Sequence, residues 1–238
     1  MTTGMLSETE NAIRSAMLFV VFFVCTIVVI RYINRGSQER AKIKRISAVI
    51  LVILEIARII VHVVFGTITL KNIEYMPFTL CGWIVILIAV NESFRPPSLA
   101  NIIITLGYPS SLLALLIAIS DYSVFHFFTL QSLMAHGLIF LFSTFYIVDA
   151  VFPTKFLPLN FVLGSIVSIS LLLNKLCNTN FIFLSKAPFE LPFSLPDSVY
   201  SVAMIIVIWG LFNISNHVVN RIIALKPSAL SGKNVLHT

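Results

Sequence analysis

The chain has 238 residues, 58% of them hydrophobic and 11% charged, with a net charge of +6 and a mean hydropathy of +0.98. Soluble domains carry roughly 45–50% apolar and about 25% charged residues, so this composition excludes a water-soluble globule and a disordered or fibrous chain alike. What it describes is an all-α, polytopic membrane helix bundle, because a span takes about 20 apolar residues and open strands cannot satisfy their backbone in lipid.

Seven apolar segments follow one another: residues 15–30, 46–66, 77–90, 99–119, 127–151, 157–173 and 199–225. Together they make one membrane domain, 1–238, with its longest connection an outer loop over 174–198. The start is polar and mildly acidic before Arg14 and lacks the basic opening and cleavage site of a secretory signal, so the first segment is expected to stay as a membrane helix. After it Arg31, Arg35, Arg40, Lys42, Lys44 and Arg45 crowd together. Between two apolar spans such a run is a positive-inside signal, and no nucleic-acid partner is expected. With that side in the cytoplasm, Arg95, Lys155, Arg221, Lys226 and Lys233 join it, while Arg14, Lys71, Lys175 and Lys186 fall outside. The N-terminus is thus expected outside and the C-terminus in the cytoplasm, an alternation that six spans would break.

Several features have structural explanations. Cys25, Cys81 and Cys177 are too few and too scattered for a disulfide framework, and Cys25 reads as a small buried hydrophobe. Asn160, Gly164 and Ser168 recur every four residues, a pattern for close helix contact. Asp149, and the group Asn213, Asn216, His217 and Asn220, read as amphipathic helix ends. The prolines and glycines sit mostly near helix ends. The outer loop, with Phe181, Ile182, Phe183, Leu184, Pro188, Pro192 and Pro196, is either an interfacial anchor or a lid.

Ionisable groups within spans are expensive and mark functional sites by default. Glu55, Arg58 and His62 share one face of the second segment, within about 60° of arc. They form either a structural ion pair or a polar wall facing a phosphate or oxyanion. Thr129, Ser132, His136 and Ser143 make a polar stripe on the fifth. At 1.5 Å per residue His62 and Cys81 lie about 6 Å below the outer boundary, Arg58 and His136 about 12–13 Å, and Glu55 about 16 Å. Asn174, Asn178 and Asn180 sit at that same boundary. The shared depth is that of phospholipid ester carbonyls.

Three stretches carry a resemblance: Met76-Pro77-Phe78-Thr79-Leu80-Cys81, then Met134-Ala135-His136-Gly137, then Asn174-Lys175-Leu176-Cys177-Asn178-Thr179-Asn180-Phe181-Ile182-Phe183-Leu184 with Lys186 and Pro188. In this order the chain resembles the YwaF-like integral membrane proteins of bacteria, which are similar to the eukaryotic transmembrane protein 164, a cysteine-dependent lipid acyltransferase. The resemblance implies Cys81 and His136 as the catalytic pair. It places Asn174, Asn178 and Asn180 on the Asn-rich stretch, which together with Arg58, His62 and Glu55 make the expected substrate or oxyanion groups. It further implies a cell-membrane protein acting on phospholipids, with no cofactor and no metal. Thr79 stands where members carry a larger polar residue, and Phe181 where Tyr is common.

On that reading a fatty acyl chain moves from a phospholipid through a Cys81 thioester to a lysolipid or similar acceptor at the outer leaflet, with His136 as base. Two other classes fit the residues. One is a zinc-dependent membrane hydrolase using Cys81, His62 and His136. The other is a small transporter or sensor without catalysis. Oligomeric state is not legible in the sequence.

Overall fold

The computed structural model describes residues 8–66, 73, 76–96, 99–117, 123–150, 155–185 and 196–225. Seven α-helices hold most of these: α1 (Glu8–Ile33), α2 (Ser37–Val64), α3 (Leu80–Phe94), α4 (Leu99–Ile117), α5 (Phe127–Asp149), α6 (Phe156–Cys177) and α7 (Asp197–Ala224). One 3₁₀ turn, Phe181–Phe183, stands between α6 and α7, and no strand occurs among the described residues. Every helix except α3 is long and apolar enough to cross a membrane, so the chain is a multi-pass membrane protein. At 15 residues, α3 is about 22 Å long, roughly half the length of α2 with its 28 residues.

The centre is built from α3, α4 and α5. Ile84 and Ile88, then Ile102, Ile103, Ile104 and Leu106, then Ile139 and Phe142 are buried almost completely. Helices apolar all round belong in such a position. By contrast α1 and α2 turn Phe19, Phe23, Ile53 and Ile60 outward, where lipid is their solvent.

Helix boundaries differ from the hydropathy reading in informative places. The basic run is not a loop, since α2 starts at Ser37 and carries Arg40, Lys42, Lys44 and Arg45 on its first turns. Glu, Gln, Lys and Arg are good helix formers, and long cationic side chains reach water from a helix as readily as from a loop. Arg35 pairs with Glu39 at 3.3 Å across the same junction. At the other end of the chain α6 continues to Cys177, so Asn174 and Lys175 are helical rather than part of the outer loop. Residues 118–119, 151 and 186–195 of the expected elements, and with them Lys186, Pro188 and Pro192, lie outside the described residues, as do Lys71, Lys226 and Lys233.

Pro109 lies in the interior of α4, an exception to prolines that sit mostly near helix ends. A proline there has no N–H for the carbonyl of Thr105, one turn back. Ser215 of α7 supplies the missing donor, at 3.0 Å. That substitution is how transmembrane helices tolerate proline, and it also docks α7 on α4. Asn160 and Asn213 exchange amide hydrogen bonds of 3.4 and 3.2 Å between α6 and α7, while Gly164 faces Trp209. Cys25 is buried, its thiol 3.8 Å from the Gly137 carbonyl, as expected of a small core residue.

Asp149 is more than an amphipathic end. Its carboxylate accepts from Tyr32 Oη at 2.5 Å, Lys44 Nζ at 2.7 Å and Arg40 at 3.4 Å. Arg40 lies over the Tyr32 ring, and the group ties α1, α2 and α5 together at the basic end.

Candidate functional site

The site begins at the first turn of α3. Thr79 is the N-cap, in extended conformation, and its hydroxyl accepts from the Gly82 amide at 3.2 Å. Cys81 therefore occupies the second position of the helix. Amides of the first turn have no intrahelical acceptor, and the positive end of the helix dipole favours negative charge at the sulfur. Pro77 folds back on this turn so closely that a Cβ on Gly82 would stand 2.5 Å from its carbonyl oxygen. A side chain there would push Pro77 away and loosen the cap that fixes Cys81.

The end of α6 supplies the second element. Asn174 is buried, and its side chain is fully engaged: Oδ1 accepts from the Phe181 amide at 2.7 Å and from Thr179 Oγ1 at 3.0 Å, while Nδ2 donates to the Phe181 carbonyl at 3.1 Å. Asn178 closes α6 in the left-handed conformation, with φ of 53°, a position that favours Asn among non-glycine residues. Asn180 Oδ1 accepts from the Ser185 amide at 2.9 Å. Ile182 and Phe183 both take positive φ, costly for such side chains, and are held there from α7. Tyr200 donates to the Phe183 carbonyl at 2.9 Å and Ser201 to the Leu184 carbonyl at 2.7 Å. The result presents Phe181 edge-on to Phe78, ring centroids 5.7 Å apart. Two of the three motif stretches thus meet, three residues from Cys81.

Glu55 and Arg58 of α2 form the expected pair, at 2.6 and 3.1 Å, with both side chains largely shielded. On α5, His136 Nδ1 lies 2.7 Å from the Ser132 carbonyl and 3.1 Å from Ser132 Oγ. A carbonyl only accepts, so Nδ1 carries the proton and Nε2 keeps its lone pair. His62, one turn from Arg58 on α2, is buried and stacked flat on Phe128 with centroids 4.0 Å apart.

The level of these groups follows from one contact. A Cβ on Gly107 of α4 would touch Ile84 of α3 at 3.6 Å, Ile139 of α5 at 3.4 Å and Ser143 of α5 at 2.5 Å. One turn further along each helix, away from the basic end, come Cys81, Ser110 and His136. Ser110 stands beside the Cys81 thiol and bonds the Leu106 carbonyl at 2.7 Å. The Glu55–Arg58 pair lies within electrostatic range of His136, and Glu55 of Cys81 too. Among the described residues no hydrogen bond joins Cys81 to His136 directly, and no group of three His, Cys, Asp or Glu side chains gathers as metal ligands.

The matched levels on three helices and the meeting of the motif stretches agree with the whole-chain comparison, in which the family model of the TMEM164 family matches residues 5–215. The chain belongs to the TMEM164 family. No curated protein and no solved structure matches it. For this TMEM164-family chain, sequence reasoning placed Cys81, His136, Glu55 and Arg58 at one end of the bundle. It named Ser132 only as one member of the polar stripe on the fifth segment and passed over Ser110, because serine in a helix usually bonds its own backbone and carries no signal of what else it touches.

Proposed function

We propose that the protein is an intramembrane lipid acyltransferase of the cell membrane in which Cys81 carries the acyl group. The observation that supports the reading best is the arrangement of α2, α3 and α5. Cys81 of α3 and His136 of α5 stand at one level, with the Glu55–Arg58 pair of α2 in electrostatic range, and the histidine keeps Nε2 free as a base. A thiol is a nucleophile only as thiolate, so proton removal comes first. His136 Nε2 takes the thiol proton, and the sulfur adds to the ester carbonyl of a phospholipid. Collapse of the tetrahedral oxyanion expels the lysolipid oxygen, which takes the proton from His136, and leaves an acyl thioester on Cys81. An acceptor hydroxyl then gives its proton to His136 and attacks the thioester, and the thiol is restored.

On this reading the first-turn amides of α3 beside Cys81 donate to the oxyanion, and one good donor in a dry site is worth about 10²–10³ in rate. Arg58 remains available to a lipid phosphate while its charge is balanced by Glu55. Asn174, Asn178 and Asn180 act on this reading by shaping the loop that carries Phe181. Trapping decides the matter. Wild-type protein incubated with phospholipid should gain one acyl mass on the peptide carrying Cys81, labile to hydroxylamine, and Cys81→Ala should lose both the adduct and lipid turnover. Full turnover by Cys81→Ala overturns the proposal.

A further inference from the structure

A second polar hollow lies at the opposite end of α3. Because α3 is short, α2 and α5 continue past it and leave a cavity of about 380 Å³. The value lies within the usual range of small-ligand sites, roughly 300–1,000 Å³. Lys44 of α2, Glu92 and Arg95 of α3, Asn101 of α4 and Tyr146 of α5 line it. Glu92 lies eleven residues from Cys81 on the same helix, about 16 Å along the axis, so this hollow is separate from the thiol site.

The charges in it are arranged unusually. Glu92 and Arg95 are three apart on one helical turn, a spacing at which opposite charges normally pair. Among the described residues they form no ion pair, and neither has another charged partner. Glu92 is held in place by Tyr146, whose hydroxyl donates to it at 2.6 Å and accepts from Asn91 Nδ2 at 3.0 Å. Arg95 sits in the left-handed region, φ 52°, where a helix end ordinarily takes glycine. The backbone therefore bears a strained residue that sets a free guanidinium on the rim, and a fixed carboxylate stands within. Asp149, next to them, is already saturated by Tyr32, Arg40 and Lys44, so it does not neutralise Arg95.

We infer that this hollow binds the zwitterionic headgroup of an amino-phospholipid, with the phosphate on Arg95 and the primary ammonium on Glu92. A ligand with one anionic and one cationic group satisfies both charges at once, whereas an anion alone would face Glu92 and a cation alone would face Arg95. A lipid is the occupant rather than a soluble molecule because the hollow is lined by the first turns of α2, the stretch that carries Arg40, Lys42, Lys44 and Arg45, a cationic run of the kind found at a membrane surface. The inference does not rest on acyl transfer at Cys81.

Native mass spectrometry of the detergent-purified full chain titrated with dioleoyl-phosphatidylethanolamine, -phosphatidylcholine and -phosphatidylglycerol tests it. Phosphatidylethanolamine should be retained about ten-fold better than the other two, the factor for one charge-assisted hydrogen bond. Glu92→Gln should erase that preference, and Cys81→Ser should leave it intact. Arg95→Gly should weaken retention of phosphatidylethanolamine about ten-fold while leaving the protein as stable or more so, since glycine relieves the backbone. Equal retention of the three lipids by wild type, or stronger retention of phosphatidylglycerol, overturns the proposal. So does an unchanged preference in Glu92→Gln, or saturation by soluble glycerophosphoethanolamine at the concentrations that suffice for the lipid.

Discussion

The two ends of the bundle treat polar groups differently. At the basic end Asp149 takes three donors from three residues, and each of them is itself fixed: Tyr32 under Arg40, Lys44 beside the Tyr146 ring. At the Cys81 end the ordered groups are the supports. Thr79 caps the helix, Asn174 holds the turn and Ser132 orients the imidazole, while Cys81 has Ser110 beside its thiol and His136 Nε2 is left open. A saturated polar cluster adds stability and specifies packing, while a supported but unsaturated one is poised for chemistry. The comparison therefore predicts that mutations separate: loss of activity without loss of fold at one end, the reverse at the other.

The largest effect belongs to Cys81→Ala. Acyl transfer from a labelled phospholipid should fall by at least about a thousand-fold with little change in thermal unfolding, because the thiol makes no contact that the helix needs. His136→Gln should cost about 10²–10⁴ in rate, again with the fold retained. A drop in stability that matched the drop in rate would put His136 with the structural groups instead. Gly82→Ala should lower turnover about a hundred-fold by displacing Pro77 and moving the cysteine on the scale of an ångström. Its signature is slowed alkylation of Cys81 by a membrane-permeant maleimide.

At the other end Asp149→Asn should destabilise the protein by about 1–3 kcal/mol in urea or thermal unfolding, the range for hydrogen bonds to a charged group. Turnover per folded molecule should stay the same, and a large fall would erase the contrast between the two ends. Smallest of all is Gly164→Ala. The added methyl meets Trp209 at an ordinary 3.6 Å, so the change should be neutral or stabilising by up to about 1 kcal/mol in the same unfolding assay.

The bundle was legible because hydropathy in lipid leaves few alternatives: the fifth span was expected over 127–151 and α5 runs over Phe127–Asp149. Boundaries failed where composition and conformation part company. The cationic first turns of α2 look like a loop to hydropathy, and the last turn of α6 holds asparagine and lysine yet stays helical until Asn178. In the site, residue types and depths picked out Cys81, His136 and the Glu55–Arg58 pair. What they could not show was lateral neighbourhood. Asn174 was expected by type and depth among the substrate or oxyanion groups, and its side chain holds the Phe181 turn through three hydrogen bonds that neither type nor depth reveals. Ser110 lies beside the cysteine only because Gly107 lets α4 approach α3 and α5, which no pattern in one helix reveals.

The clasp between Tyr32 and Asp149 also bears on how the protein is made. Its two halves are 117 residues apart in the chain, and the first helix emerges long before the fifth exists. At about 5–20 residues per second the ribosome needs on the order of ten seconds to deliver the missing carboxylate. During that interval α1 and α2 must reside in the bilayer without α5, with Tyr32 at the end of α1 and Arg40 at the start of α2 lacking their eventual companion. Their strongly greasy surfaces suit that wait, and late capture by α5 would be the closing act of assembly.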